Sequence, residues 1–384
     1  MSKQAYKFRL YPTRTQQERL QWTLDRAREL YNAALQERRD AYRMAQKSIT
    51  YYDQANQLPE IKEIREEYQD IHSQVLQDVL RKAHKAYQAF FARCKRGDAP
   101  GYPRFKGRNQ FDSFTYPQGG YSLTHESRVN LSKIGSIKVK LHREIKGSIK
   151  TCTIKREGDC WYVVCSCEVE QERVEACGEA VGIDLGVLHF ATLSTGETIE
   201  NPRYYRKAEK KLAKHQQALA RKKRGSHRRK KAVKLVAKAH RKVRNQRVDF
   251  LHKASRQLVN TYATMVFEEL QPANMSKRAK PKQDEKGAYL PNGGSAKSGL
   301  NKSIVDAGWS QFVQYCTYKA ASAGRAVVQV DPSYTSQVCS GCGQVRKKEL
   351  SERWHSCDCG TELDRDHNAA LNILRLGRSR QASA

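Results

Sequence analysis

No stretch of about 18 consecutive apolar residues occurs in the chain, so nothing in it has the length and character of a membrane-spanning helix. The opening residues, MSKQAYKFRLYP, lack the apolar core of a secretory signal. An intracellular, cytoplasmic protein is therefore expected. Acidic residues are scarce beside basic ones: 40 Asp and Glu face 71 Lys and Arg, a formal net charge of +31. Solubility needs far less, and a surplus of this size points to a polyanionic partner, nucleic acid before a membrane surface. Length sets a further bound, because 384 residues exceed what one growing core holds. Two or more packed units are expected, one of them split by an insertion.

Disulfides are also unexpected, since a reducing cytosol keeps the eleven cysteines as thiols. Four of them form two pairs, Cys339 and Cys342 in CSGC, then Cys357 and Cys359 in CDC, with fourteen residues between the pairs. Each pair is followed by a glycine, Gly343 or Gly360, that lets backbone amides turn toward a thiolate. Four thiolates suit tetrahedral zinc, and a closed four-ligand site has no open position, so such a zinc is a staple and not a catalyst. The CDC pair has one residue between its cysteines where two are usual, which makes its loop tighter or one ligand less ideal; unligated thiols are the alternative. In CWYVVCSCEVE, Cys165 and Cys167 alternate with polar neighbours as small hydrophobes of a half-buried strand, and a second metal site there is the lesser reading. Cys94, Cys152, Cys160, Cys177 and Cys316 have no ligand-like spacing.

Along the chain, QAYKFRLYPT reads as a strand ended by Pro12. Apolar residues at helical spacing predict helices from Gln16 to about Gln46 and from about Ile71 to Arg96, with SITYYDQANQLPE as a polar connection. Gly and Pro in GDAPGYPRFKGR end the second helix, and SIKVKL, SIKTCTIKRE and WYVVCSCEVE follow as strands. A small β-domain interrupted by a helical insert is expected.

Beyond Cys177 the pattern is AVGIDLGVLHFATL. Residues 180–183 read as a buried strand that ends in Asp184, and a buried carboxylate is costly unless something, usually a cation, compensates it. Seen alone, Asp184 also reads as a turn residue bonding its own backbone. From Tyr205 to Arg247 there are 19 Lys or Arg and one acid, Glu209. Val233, Val236, His240, Val243 and Phe250 fall near one helical face there, and RGS at 224–226 divides the segment into two helices. A solvated charged face is the bland reading; contact with phosphates is favoured, because so one-sided a run repels itself without counter-ions. The strand ATMVFEEL then carries Glu268 and Glu269 at its end. A polar, Gly-rich stretch at 276–299 reads as mobile, followed by a helix over roughly 303–323, the strand RAVVQVDP, the cysteine pairs and a helix beginning near Asp364.

That order, a strand with Asp, two strands, helix, strand with Glu, helix, strand and a final helix with Asp, resembles the RNase H-like or RuvC-like nuclease fold. GIDLG, FEEL, YTSQVCSGCG and DRDHNAALN together resemble the RuvC core of the TnpB family, compact transposon-encoded nucleases similar to the ancestors of type V CRISPR effectors. FRLYPT, GYPRFKGR and DAGWSQFVQYCTYKA fit the same family, so the resemblance covers essentially the whole chain; the short CDC knuckle is the visible departure.

The resemblance implies an α+β multidomain protein. Residues 1–14 and 98–176 would form a wedge-like, barrel-like β-domain and 15–97 a helical recognition insert. Residues 177–332 and 364–384 would form the RuvC-like α/β core, with a zinc ribbon inserted at 333–363. Asp184, Glu268 and Asp366 would be the catalytic acids, holding Mg²⁺ or Mn²⁺ for two-metal phosphodiester hydrolysis. Asp364 would instead cap the last helix, and which of Glu268 and Glu269 faces the site stays open, since strand neighbours point to opposite faces. The partners would be a guide RNA from the transposon end and double-stranded target DNA, bound by a monomer in a prokaryotic cytoplasm. The protein would read a short flanking motif, with Tyr51, Gln74, Gln77 and Thr115 as candidate contacts.

Other readings are a non-cleaving guided repressor, which should have lost one of the three acids, a zinc-ribbon accessory factor in transposition, which leaves the acids as coincidences, and a DNA-joining transposase of the same fold. The nuclease accounts for charge, cysteines and acids together.

Overall fold

The computed structural model describes residues 2–108, 110–124, 126–170, 178–349 and 352–382; Cys177 and the 176/177 boundary lie outside the described residues. The chain divides into two compact units, 1–170 and 171–384.

The first unit opens with β1 (Ser2–Tyr11), where Tyr6, Phe8 and Leu10 are buried and alternate with more exposed Lys7 and Arg9, the period-two pattern of a strand with one covered face. A capping box of Thr13 and Gln16 then starts α1 (Arg14–Ala45). Leu20, Leu24, Ala27, Tyr31 and Leu35 make its buried stripe, against which α4 (Ser73–Lys95) sets Leu76, Val79, Leu80 and Ala83. The stretch expected as a polar connection is helical, in α2 (Tyr51–Asn56) and α3 (Leu58–Ile64), followed by a 3₁₀ turn at Glu66–Asp70. Its reason is local: Thr50 and Asp53 form a second capping box, and Pro59 sits in the first turn of α3, where a missing N–H costs nothing.

Six further strands complete the unit: β2 (Ser113–Tyr116), β3 (Tyr121–Thr124), β4 (Arg128–Leu131), β5 (Gly135–Lys140), β6 (Ser148–Glu157) and β7 (Cys160–Val169). They form one antiparallel sheet in the order β2-β6-β7-β1-β5-β4-β3. The three four-residue strands β2 to β4 are additions to the sequence reading, being too short to show a period alone. Cys152, Cys165 and Cys167 are buried in this sheet as apolar side chains.

The second unit holds β8 (Ala180–Asp184), β9 (His189–Leu193), β10 (Thr198–Glu200), α5 (Tyr204–Ala220), α6 (His227–Thr261) and β11 (Thr264–Glu268). The short α7 (Pro272–Met275) and a hairpin of β12 (Lys282–Gln283) and β13 (Tyr289–Leu290) follow. Then come α8 (Gly294–Ala307), α9 (Trp309–Ser322), β14 (Ala326–Val330), a second hairpin of β15 (Trp354–Ser356) and β16 (Glu362–Asp364), and α10 (Arg365–Ala382). The main sheet runs β10-β9-β8-β11-β14, with β8, β11 and β14 parallel and β9 antiparallel to β8.

Two expectations are corrected here. The single helix over 303–323 is two helices, α8 and α9, beginning inside the stretch read as mobile and parted by Gly308 at φ +74°. In α6 the inward residues are Ala232, Val243, Leu251, Ala254 and Leu258; Val233 is 47% exposed and His240 is exposed, because this part of the helix packs mainly on α5 and the main core begins near Leu251. Among the described residues no helix is long and apolar enough to cross a membrane.

Candidate active site and cysteine cluster

Asp184 ends β8 and Glu268 ends β11, and the parallel pairing of Ile183 with Phe267 sets both acids at the same level of the sheet. Their face follows from the residues two positions earlier. A Cβ on Gly182 would collide with the Ala370 carbonyl oxygen of α10, and one on Gly377 of α10 would lie 2.5 Å from Val266 Cγ2. Gly182 and Val266 thus face α10, and the two-residue strand period turns Asp184 and Glu268 the same way. Asp366 lies in the first turn of α10, and a Cβ on Gly186, in the turn after β8, would be 3.8 Å from its Oδ2. Glu268 is 9% exposed while Glu269 is exposed, so Glu268 is the one that faces inward. Asp364 Oδ1 accepts from the backbone N–H groups of Asp366 (2.8 Å) and His367 (3.2 Å), which is the capping role expected of it.

The electrostatics of the three acids are strained. Burial pushes the Asp184 carboxyl well above the usual carboxylate range, and the negative charges of Glu268 and Asp366 add to it, only partly offset by Arg365. Burial also raises Glu268, against the Thr335 hydroxyl, which favours the ionised form. Asp366 is raised by burial and by Asp364, with Arg353, Arg365 and His189 opposing. Carboxyls raised in this way hold protons unless cations balance their charge. Oxygen ligands alone make a hard donor set, suited to Mg²⁺ or Mn²⁺.

The cysteines behave differently. Among the described residues, Cys339, Cys342, Cys357 and Cys359 are the group whose ligand atoms all lie within 4.8 Å of one another. Cys339 Sγ is 3.6 Å from Cys359 Sγ, and Cys342 Sγ is 3.6 Å from Cys357 Sγ. Zn–S bonds of about 2.3 Å in a tetrahedron require S···S edges of about 3.8 Å, so the set fits zinc. Gly343 at φ +81° and Gly360 at φ +85° make the turns after each pair, where a side chain would be strained. Arg346 pairs with Asp358 across the short knuckle, and Cys359 reaches the cluster despite the missing residue. Burial opposes ionisation of Cys339, but N–H groups of Cys342 and Gly341 and the side chains of His355 and Thr361 outweigh it and pull the thiol down to about 5. A thiolate is the form that binds metal.

The candidate flanking-motif residues are all in the first unit. Gln74 and Gln77 share a face of α4; Gln77 is exposed, whereas Gln74 Oε1 accepts from Gly119 N at 3.0 Å. Thr115 Oγ1 is shared between Lys82 Nζ (3.3 Å) and Thr153 Oγ1 (3.1 Å). Tyr51 is half-buried with the Arg81 guanidinium 5.2 Å from its ring centroid. Three residues quoted above within YTSQVCSGCG and DRDHNAALN, but given no role there, bear on the site: the Thr335 hydroxyl donates to Glu268 Oε1, and Asn368 and Asn372 on α10, both buried, bond the backbone between Thr335 and Ser340. Two buried amides four residues apart on a helix are the signal that marks them, because asparagine in a helix interior needs a reason.

Residues 163–279 match a family model described as a probable transposase, residues 309–373 one described as a Cas12f1-like TNB domain, and residues 1–47 one described as a helix-turn-helix domain. The last region is a strand and one 32-residue helix in this structure. The chain is 34% identical to the putative RNA-guided DNA endonuclease InsQ of Escherichia coli (strain K12) over 98% of its own length and 92% of that protein. It is also 34% identical to a putative RNA-guided DNA endonuclease of Streptomyces pristinaespiralis, over 99% and 90%. Among solved structures, the Cas12f1 chain of a complex with single-guide RNA and target DNA is similar with a TM-score of 0.57 at 15% identity, covering 93% of this chain and 82% of that one, a likeness of fold.

Proposed function

The chain belongs to the TnpB family of RNA-guided DNA endonucleases, and from that premise we propose that it is the guide-directed nuclease of a transposable element, cutting double-stranded DNA beside a short flanking motif in one RuvC-like site. The observation that carries the chemistry is the gathering of Asp184, Glu268 and Asp366 on the α10 side of one sheet end, with all three carboxyls raised. Asp184, Glu268 and Asp366 would hold divalent metal. Held there, such a metal would supply an activated water and neutralise charge at the leaving oxygen. The chain's own part is to fix the carboxylates, through β8, β11 and α10, and to bring the phosphate backbone to them with a net charge of +31. A nuclease-inactive repressor is disfavoured because all three acidic positions are filled.

On the same reading, residues 1–14 and 98–176 are the wedge-like β-domain, 15–97 the recognition insert, 177–332 and 364–384 an RNase H-like core, and 333–363 a zinc ribbon. The protein works as a monomer in the cytoplasm with a guide copied from the transposon end. The strand order β10-β9-β8-β11-β14 with α10 beside it supports the core assignment, and the thiol spacing supports zinc.

The test is to express the protein with the DNA flanking its gene, sequence the RNA that co-purifies, and assay the complex with Mg²⁺ on plasmids carrying the matching target beside randomised bases. Cleavage that disappears in Asp184→Ala supports the reading and gives the motif. Bound RNA without cutting would favour the repressor, and the absence of any discrete RNA would sink guidance altogether.

A further inference from the structure

The segment Thr335–Ser340 leads from β14 into the cysteine cluster and is fastened from three directions. On α10, Asn372 Nδ2 donates to the carbonyl oxygens of Thr335 (3.0 Å) and Val338 (2.7 Å). One helical turn earlier, Asn368 Nδ2 donates to Val338 O (2.7 Å) and its Oδ1 accepts from Ser340 N (2.9 Å). Cys339, between those two anchor points, is a thiol of the cluster. At the other end Thr335, a residue 5% exposed, donates its hydroxyl to Glu268 Oε1. The amides are 0% and 1% exposed, so water does not compete for these bonds.

A free glutamate side chain turns about three bonds, and a metal site needs one of its orientations. A buried hydroxyl on Oε1 selects that orientation and leaves Oε2 for a cation. We propose that Thr335, itself held by Asn372, is a positioning residue that fixes the Glu268 carboxylate for a divalent cation and ties that site to the cysteine cluster. Thr335 does not touch substrate on this account. It acts through Glu268, and the cluster acts through the backbone it shares with Thr335. The Thr335 oxygen also lies 3.2 Å from Pro332 O, a second acceptor within its own turn. The assignment of a cation to Glu268 rests on the nuclease reading, whereas the hydrogen-bond chain does not.

The experiment compares the parent, Thr335→Val, Thr335→Ser and Asn372→Ala as purified ribonucleoproteins. Mn²⁺ binding is followed by electron paramagnetic resonance, counting the sites lost in Asp184→Ala, beside single-turnover cleavage, target-DNA affinity and melting temperature. Valine keeps the shape of threonine without its hydroxyl. The expected result is a loss of about 10-fold to 100-fold in Mn²⁺ affinity and cleavage rate for Thr335→Val, the usual effect of removing a partner of a metal ligand. Target affinity should stay within about twofold, and Thr335→Ser should recover most of the loss. Asn372→Ala should fall between. Thr335→Val indistinguishable from the parent in Mn²⁺ binding would overturn the proposal, as would a loss that serine does not restore and that follows the melting temperature. A parent that cuts no target would count against the nuclease reading alone, because the Mn²⁺ titration still decides what Thr335 does.

Discussion

Asp184 and Glu268 leave two hydrogen-bonded parallel strands at one level and turn toward the same helix, and the Glu268 charge adds to what burial costs in ionising Asp184. The placement works against stability in the metal-free protein. Asp184 has a folded-state pKa above its unfolded one, so its contribution is fully present below the ordinary carboxylate pKa of about 3.9 and is lost as pH rises through the raised value. Asp184→Asn should therefore abolish cleavage and raise the melting temperature of the metal-free protein, by about 2–4 °C for each kcal/mol of relieved repulsion. The gain should be larger at pH 8 than at pH 5, and Mn²⁺ should stabilise the parent but not the variant. Calorimetry at the two pH values decides, and a variant that melts below the parent at pH 8 refutes the account.

Gly182 is the residue that lets α10 come close enough to bring Asp366 to Asp184. A Cβ there would collide with the Ala370 carbonyl oxygen and lie 2.7 Å from Leu374 N, both backbone atoms that move only with the helix. Gly182→Ala should cost about 1–3 kcal/mol or more and depress cleavage further than the stability loss explains, since the shift displaces Asp366. Urea unfolding and single-turnover cleavage at a temperature where the variant is folded test this. Cleavage at the parental rate would show that α10 has slack.

The short CDC knuckle predicts a full zinc site all the same. Metal analysis of the parent should find about one zinc per chain, as a four-thiolate site requires. Cys359→Ser should lower that content and weaken guide-dependent cleavage, while Cys94→Ser, at an exposed cysteine outside the cluster, should change neither. Undiminished zinc in Cys359→Ser would mean that the fourth ligand is another group.

What the sequence makes legible here is whatever is chemically out of place in it. Asp184 stands out because it ends an apolar strand, and the cysteine pairs stand out by spacing. Thr335 does not, because a threonine in a loop has no reason on paper to meet a glutamate 67 residues away. Strands β2 to β4 escape notice for want of length. The helices α2 and α3 are hidden by polar composition, although Thr50 and Asp53 spell out a capping box that periodicity alone ignores. Val233 misleads in the opposite sense: it repeats at helical spacing on a stretch of α6 whose partner is α5, and so it stays at the surface.

Gln74 and Gln77 look equivalent in the sequence and differ in the fold. Gln74→Ala removes the acceptor for Gly119 N and should cost about 1 kcal/mol of stability. Gln77 is exposed on α4, so Gln77→Ala should leave stability unchanged and relax selection of the flanking motif. Cleavage of a library with randomised flanks separates the two, and a Gln77→Ala protein that selects the parental motif at the parental rate removes this residue from the reader.

The basic helix pair offers a quantitative test of phosphate binding. Lys231, Lys234, Lys238 and Lys242 are exposed on α6 and recur at steps of three and four, which aligns them in one stripe about 16 Å long, away from buried Ala232 and Val243. Replacing all four with alanine keeps the helix, because alanine has the highest helical propensity. If each lysine neutralises a phosphate of a single-stranded region, the log–log dependence of guide-RNA affinity on salt should flatten by about 0.7 for every lysine replaced, nearly 3 in all. A solvated face would give a different result, an affinity lowered slightly with its salt slope unchanged. Filter binding between 50 and 300 mM salt distinguishes the two, and only the flattened slope is compatible with α6 as a phosphate-binding surface.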